Sequence, residues 1–375
     1  MEKMFKNGLC LGKFMPIHSG HVHMIREAAK SCETVHVMIC SRECEPIHGF
    51  KREQWAKEIF KDEPNIKIIL CEDENPQYPE DHPDFWKIWH DSVYNYVPEL
   101  DAVFASEDYV YPFAKALGVE AVMVDRYRDR FPVSGTDIRQ DPFGFWDYIP
   151  EPVREEFRLK VCIVGPESSG KSTLLSELSN HYSAPAIGEY GRWYTENKVS
   201  AKDLQPHDFA HIAGEHHLDI LKAERECDRL GSKYLFIDTD ANVTRTFLNM
   251  YATLNNWYSD PETTFEVSYY NNKIEEFMKL QMFGNGLGDK KGKIDLYLLT
   301  YPDLDWDDDG TRDFDKLEDR MRSFKWIKAQ LDAHGCKYHI IMGKGDRRTE
   351  KAIEIINHCE KELREKSWHK LSFDR

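Results

Sequence analysis

Residues 159–173 read LKVCIVGPESSGKST, and what they form decides the fold. Leu159–Val164 is a short apolar run with valine and isoleucine, the composition of a strand buried on both faces. It breaks at Gly165 into a loop of Gly, Pro and Ser, and Leu174–His181 resumes with helical spacing. Gly165–Ser172 matches GxxxxGK[ST] in full, in the strand, loop and helix setting that the pattern needs. Backbone N–H groups of such a loop cradle a β-phosphate at a helix N-terminus, Lys171 bridges β- and γ-oxygens, and Ser172 coordinates Mg2+. ATP is therefore the expected ligand, held by Gly165, Glu167, Ser168, Ser169, Gly170, Lys171, Ser172 and Thr173.

Toward the C-terminus, Tyr234–Asp240 (YLFIDTD) is a second strand-like run that ends in acids. Asp238 at the strand end is placed to hold Mg2+ directly or through water, and Asp240 to hold sugar hydroxyls or act as a base. No NKxD guanine-reading pattern follows, so a small-molecule kinase fits better than a GTPase. Ile294–Leu299 reads as a further strand and Ala352–Glu365 as a closing helix. Asn285–Lys293 has loop chemistry, and the acidic run Asp303–Asp309 reads as a solvated loop.

Toward the N-terminus a different opening stands out. Gly8–Leu11 is a short apolar strand, GKFMPIHSGH (Gly12–His21) a loop, and Val22–Lys30 a helix. Between the two openings, strand patterns at Thr34–Cys40, Ile66–Cys71, Ala102–Ala105 and Ala121–Val124 alternate with helix patterns at Arg52–Phe60 and Phe85–Val97. That alternation predicts α/β architecture with parallel sheets. Asp141–Pro152 carries three prolines and four aromatics, so it reads as a packed joint; the expected domains are 1–152 and 153–375. In the first loop Gly12 permits a close turn and Pro16 stiffens it. His18 and His21 are spaced to share one side of a helix start, where imidazoles and N–H groups can hold a polyphosphate.

Composition bounds the rest. The 375 residues hold 50 Lys+Arg against 66 Asp+Glu, a net charge of −16, which disfavours coating nucleic acid. Hydrophobic residues at 41% fill ordinary cores, and no apolar run approaches the ~20 residues that span a bilayer. Met1–Gly12 lacks the apolar stretch of a secretory signal. Nine cysteines without a CxxC pair point to reduced thiols and a cytoplasmic setting.

GKFMPIHSGH resembles the GxFxPxHxGH signature of the nucleotidyltransferase superfamily, and VSGTDIR (Val133–Arg139) resembles its second signature, ISSTxxR, with Gly135 in place of a Ser. The resemblance implies adenylyl transfer: a phosphate oxygen attacks the α-phosphorus of ATP and pyrophosphate leaves. His18 and His21 would stabilise charge on the α- and β-phosphates, and Ser134, Thr136 and Arg139 would grip the leaving group. Gly12, Lys13 and Phe14 complete the implied ATP set. Arg52 could reach phosphate or be a helix-surface charge. Trp86 and Trp89 could stack a nicotinamide-like ring or form a core stripe.

The two openings together, with DPFGFWDYIPEPVREEF, GEYGR, LFIDTD and WDDDGTR, resemble the NadR-type bifunctional proteins. This implies a Rossmann-like nucleotidyltransferase domain followed by a P-loop NTPase-type kinase domain. The chain would phosphorylate nicotinamide riboside and adenylylate nicotinamide mononucleotide to NAD, with ATP as co-substrate and Mg2+ as cofactor. Carried over, Glu189, Tyr190 and Arg192 lie near the riboside, and Asp238 and Asp240 serve metal and ribose. Trp306, Asp309 and Arg312 close over substrate, with Arg312 on the transferred phosphoryl group. Arg347 and Arg348 lie by the adenine or cap the last helix. The expected partners are small molecules, with no nucleic acid and no membrane, and a homo-oligomer is left open. Some members carry a helix-turn-helix before the first signature; here that signature begins at residue 12, so no repressor activity is expected. The competing enzyme is a coenzyme A branch pair, phosphopantetheine adenylyltransferase with dephospho-coenzyme A kinase. It fits the joint, the GPESSGKST loop and WDDDGTR less well. A nucleotide-sensing regulator with one silent domain is the other alternative, and the full set of catalytic residue types argues against it.

Overall fold

A computed structural model describes residues 3–284, 290–306 and 314–366. The chain divides into two compact units, the first running to Arg154 and the second beginning at Glu155.

In the first unit, strands β1 (Phe5–Gly12), β2 (Cys32–Cys40), β3 (Ile66–Cys71), β4 (Ala102–Ala105) and β5 (Glu120–Met123) form one sheet. The order is β3-β2-β1-β4-β5 and every pairing is parallel. The chain therefore reverses its direction of winding beside β1, and the crevice beyond the carboxyl end of that strand is where ligands bind in such sheets. The helix Ser19–Ser31 follows β1 and turns Val22, Met24, Ile25, Ala28 and Ala29 inward. On one face of the sheet, Leu9, Met38, Cys71 and Val103 meet Phe85, Trp89 and Val93 of the helix Phe85–Tyr96.

The second unit repeats the principle with another strand order. Strands β6 (Leu159–Val164), β7 (Ala186–Ile187), β8 (Tyr234–Asp238), β9 (Leu296–Thr300) and β10 (Tyr338–Ile341) run β10-β9-β6-β8-β7, all parallel. All six residues of β6 are buried, as its unbroken apolar run predicts. One of them is Lys160. Its Nζ donates to Glu224 Oε1 at 2.6 Å, and the same oxygen accepts from Gly292 N at 2.8 Å, so the buried charge is paired and bonded. The long helices Pro206–Leu230, Ala241–Leu254 and Pro261–Phe283 pack over β8 and β9 through Ile220, Leu248, Ile274 and Met278. Among the described residues no helix is long and apolar enough to cross a membrane.

Candidate functional sites

In the first unit β1 ends at Gly12, and the loop delivers His18 to the N-cap of the helix Ser19–Ser31 and His21 to its first turn. Their rings stack with centroids 3.7 Å apart, and Phe14, held at φ +46°, sets its ring edge against His21 at 4.9 Å. Both Nδ1 atoms are buried without a hydrogen-bond partner. Burial, and then the charge of Arg128, lowers His18 to about 4. Burial, His18 and Arg128 hold His21 well below its usual value. At neutral pH both rings are therefore uncharged, and each can present one N–H to an anion.

The second signature closes this cleft from the far side. Ser134 caps the helix Gly135–Gln140, its Oγ donating to Asp137 Oδ2 at 2.6 Å and accepting from Asp137 N at 3.1 Å. Arg139 donates from Nη1 to the Met15 carbonyl and from Nη2 to Thr136 Oγ1 at 3.0 Å. The glycine at 135 has a steric cause, since a Cβ there would lie 3.0 Å from the Met15 carbonyl oxygen. Lys13, Phe14, His18, His21, Ser134, Thr136 and Arg139 all line one cleft, and Gly12 ends the strand at its edge.

The structure adds residues that sequence reasoning passed over. Arg128, at φ +53°, lines the same cleft, and its Nη2 donates to Glu107 Oε1 at 2.7 Å. The basic run DRYRDR before the second signature was the available signal. An adjoining cleft is walled by Tyr78, Trp86, Trp89 and Tyr109. Both readings of the tryptophans describe it. Trp89 is core and donates from Nε1 to the Pro76 carbonyl at 2.9 Å, while Trp86 is half-buried against that core.

Arg52 is corrected on both counts. It is fully buried, neither a surface charge nor aimed at phosphate. Its Nη2 donates to Glu45 Oε2 at 2.5 Å and Ser41 Oγ at 2.8 Å, and its Nη1 to the Lys13 carbonyl at 2.5 Å. It is a strut under the first loop. Lys13 leans on the same carboxylate, Nζ to Glu45 Oε1 3.2 Å.

In the second unit the loop after β6 has geometry that only its own residues allow. Gly165 sits at φ +152°, and a Cβ there would lie 2.1 Å from Thr300 Oγ1. Ser169 Oγ donates to the Pro166 carbonyl at 2.6 Å, so that side chain shapes the loop, and Lys171 Nζ lies 3.0 Å from the same carbonyl. Ser172 Oγ donates to Asp238 Oδ2 at 2.8 Å, while Asp238 Oδ1 is buried without a partner. Burial pushes Asp238 up to about 6 against the pull of Lys171. A hydroxyl and a carboxylate with one unmet oxygen, beside a phosphate loop, are the donor set of a hard divalent cation.

The cleft beside this loop is lined by Glu167, Lys171, Glu189 and Arg192, with Thr244, Phe247 and Tyr251 from one face of the helix Ala241–Leu254. Those last three follow helical spacing in NVTRTFLNMY, a stripe that reads equally as core. Tyr190 is not brought to the cleft; its ring packs on Trp193 at 5.2 Å and edge-on to His211 at 6.1 Å. Asp240 is not there either. It is sealed from solvent as the N-cap of the helix Ala241–Leu254, Oδ1 accepting from Val243 N at 3.0 Å, and burial raises it to about 6.

Arg348 is buried and braces the phosphate loop, donating from Nη2 to the Ser169 carbonyl at 2.5 Å and from Nη1 to Asp303 Oδ1 at 3.1 Å, whereas Arg347 is exposed. Asp303 also accepts from Gly343 N at 2.7 Å, so the acidic run starts as part of that brace. Trp306 is half-buried with the Arg320 guanidinium 6.0 Å above its ring, outside the cleft lining. Asp309 and Arg312 lie outside the described residues.

Residues 9–141 match the cytidylyltransferase-like family and residues 160–348 the AAA domain family. The trifunctional NAD biosynthesis/regulator protein NadR of Escherichia coli is 32% identical over 263 residues, 65% of this chain and 62% of that protein. The chain thus spans under two thirds of that relative's length. The protein of the same description from Salmonella typhimurium is 27% identical over 369 residues, 93% of this chain and 82% of the other. A crystal structure of NadR protein in complex with NR superposes with a TM-score of 0.74 at 22% identity, covering 96% of this chain and 98% of that one. At that identity the superposition speaks for the fold.

Proposed function

From the premise that this chain belongs to the AAA domain family and is similar to NadR proteins over most of its length, we propose a two-step NAD salvage enzyme. The second unit phosphorylates nicotinamide riboside with ATP, and the first transfers the adenylyl group of a second ATP to the mononucleotide, releasing pyrophosphate. The observation that carries this reading is that each sheet ends in its own phosphate cleft, built with different chemistry: stacked neutral imidazoles in one, Lys171 with Ser172 and Asp238 in the other.

In the second cleft the loop amides and Lys171 hold the β- and γ-phosphates in line with the riboside 5′-hydroxyl. Ser172 and Asp238 would hold Mg2+, which neutralises charge on the bridging phosphate oxygens when bound. Glu189, which lines the cleft near Asp238, would take the hydroxyl proton as the oxygen attacks the γ-phosphorus. In the first cleft the mononucleotide phosphate attacks the α-phosphorus of ATP. His18 and His21 donate N–H groups to the charge that develops there, and Arg139 and Thr136 hold the pyrophosphate. The aromatic cleft of Trp86, Tyr78 and Tyr109 is the natural seat for the nicotinamide ring.

Incubation with nicotinamide riboside, ATP and Mg2+, followed by chromatography, tests both steps. NAD should accumulate, Lys171→Ala should leave the riboside unused, and His18→Ala should stall at the mononucleotide. If supplied mononucleotide is not converted and the riboside is not phosphorylated, the nicotinamide reading falls.

A further inference from the structure

Thr239, between the metal-holding Asp238 and the helix-capping Asp240, sits at φ +67°. That conformation is an outlier for a β-branched residue and persists only where the surroundings over-determine it. Here two donors from separate elements converge on one atom. His216, in the middle of the helix Pro206–Leu230 and 2% exposed, has Nε2 3.1 Å from the Thr239 carbonyl oxygen. Cys162, fully buried on β6, has Sγ 3.1 Å from the same oxygen. A carbonyl only accepts, so His216 carries its proton on Nε2; its Nδ1 is buried and unpartnered.

We propose that His216 is a positioning residue for phosphoryl transfer, clamping the left-handed turn at Thr239 so that Asp238 faces Ser172 and the metal. The inference rests on the kinase reading of the second unit. His216 does not line the cleft. Its leverage comes from the turn. If the peptide after Thr239 rotated toward a relaxed conformation, the Asp238 carboxylate would leave Ser172 Oγ. The Asp240 cap would shift as well, and with it the helix that carries Thr244, Phe247 and Tyr251 to the cleft.

Mn2+ binding in the presence of ADP, read by electron paramagnetic resonance on the full chain, tests the clamp without reference to the acceptor. His216→Phe should weaken Mn2+ about tenfold, the size of one lost buried hydrogen bond. It should raise the Mg2+ needed for half-maximal phosphoryl transfer by the same factor, with a smaller change in KM for the riboside. His216→Gln, which can return an N–H to the position of Nε2, should recover most of the loss. Adenylyl transfer by the first unit serves as the internal control and should not change. In a Thr239→Gly background, where positive φ is unstrained, His216→Phe should cost little. Unchanged Mn2+ affinity in His216→Phe overturns the proposal, and so does a loss that Gln fails to recover. Should His216→Phe not fold, Cys162→Ala decides, since it removes the other donor: a weakening of about two- to threefold upholds the clamp and none overturns it. A wild-type chain that binds Mn2+ with ADP yet phosphorylates no riboside would sink the acceptor reading and leave the clamp standing.

Discussion

The two phosphate clefts occupy equivalent places, each beyond the carboxyl end of the central strand of a parallel sheet, yet they handle charge in opposite ways. The first presents two stacked imidazoles that burial keeps neutral, with arginines at the rim. The second buries a cation, Lys171, whose Nζ lies 3.0 Å from the Pro166 carbonyl, and an anion, Asp238, whose Oδ2 accepts from Ser172 Oγ. The difference follows from what each of the two proposed reactions needs. Adenylyl transfer leaves pyrophosphate to be held by dipoles and rim cations, whereas a γ-phosphoryl group needs a metal beside it and so a carboxylate to hold the metal.

The contrast is sharpest in Asp238→Asn. Losing the carboxylate proposed to hold the metal should lower phosphoryl transfer about 100- to 1,000-fold and leave adenylyl transfer within a factor of about two; a parallel fall in both rates would break the contrast. Next in size is Arg52→Met, which removes the buried partner of Glu45 and leaves it only the half-exposed Lys13. Breaking such a buried pair should cost about 3 kcal/mol in denaturant unfolding of the first unit, with phosphoryl transfer untouched. Arg128→Ala should reduce adenylyl transfer about tenfold. Because the Arg128 charge helps to lower His18, the His18 ring should titrate at higher pH in NMR of the variant. A His18 titration that does not move would remove Arg128 from the cleft's electrostatics.

The smallest effect is in pH. His18 falls from 6.5 in the unfolded chain to about 4 in the folded one, so its contribution to stability is full above pH 6.5 and lost as pH drops toward 4. Asp240 rises from 3.8 to about 6, so it weighs against the fold above pH 6 and is relieved as pH drops toward 3.8. Burial lowers His216 and His217 of the second unit too, so its acids offset that loss rather than reverse it. In metal-free protein the first unit's thermal transition should fall a few degrees further than the second's between pH 6.5 and 5. Equal shifts would mean that the two sites carry no electrostatic difference into stability.

Both loops were legible in the sequence because their glycines and hydroxyls answer to local geometry. Gly165 has no space for a Cβ, and Ser172 meets Asp238 at a strand end that its apolar run announces. Arg52, Arg348, Asp240 and Tyr190 were not legible. Charge and polarity in a sequence imply a surface or a ligand, and only the packing shows that Arg52 and Arg348 support loops from beneath or that Asp240 caps a helix. The strands β7 and β10 escaped because one is two residues long and the other, YHII, is half exposed. The helix Pro206–Leu230 escaped because His, Glu and Asp residues crowd its buried stripe.

The bond from Arg139 to the Met15 carbonyl joins residues 124 apart. It makes the first cleft a late event in synthesis. The strands that frame it can pair as they leave the ribosome, but the loop that holds His18 and His21 gains its far wall only when Gly135 and Arg139 arrive, after the whole sheet has been made. A nascent chain released before that point would contain both histidines of the first cleft and lack the cleft itself.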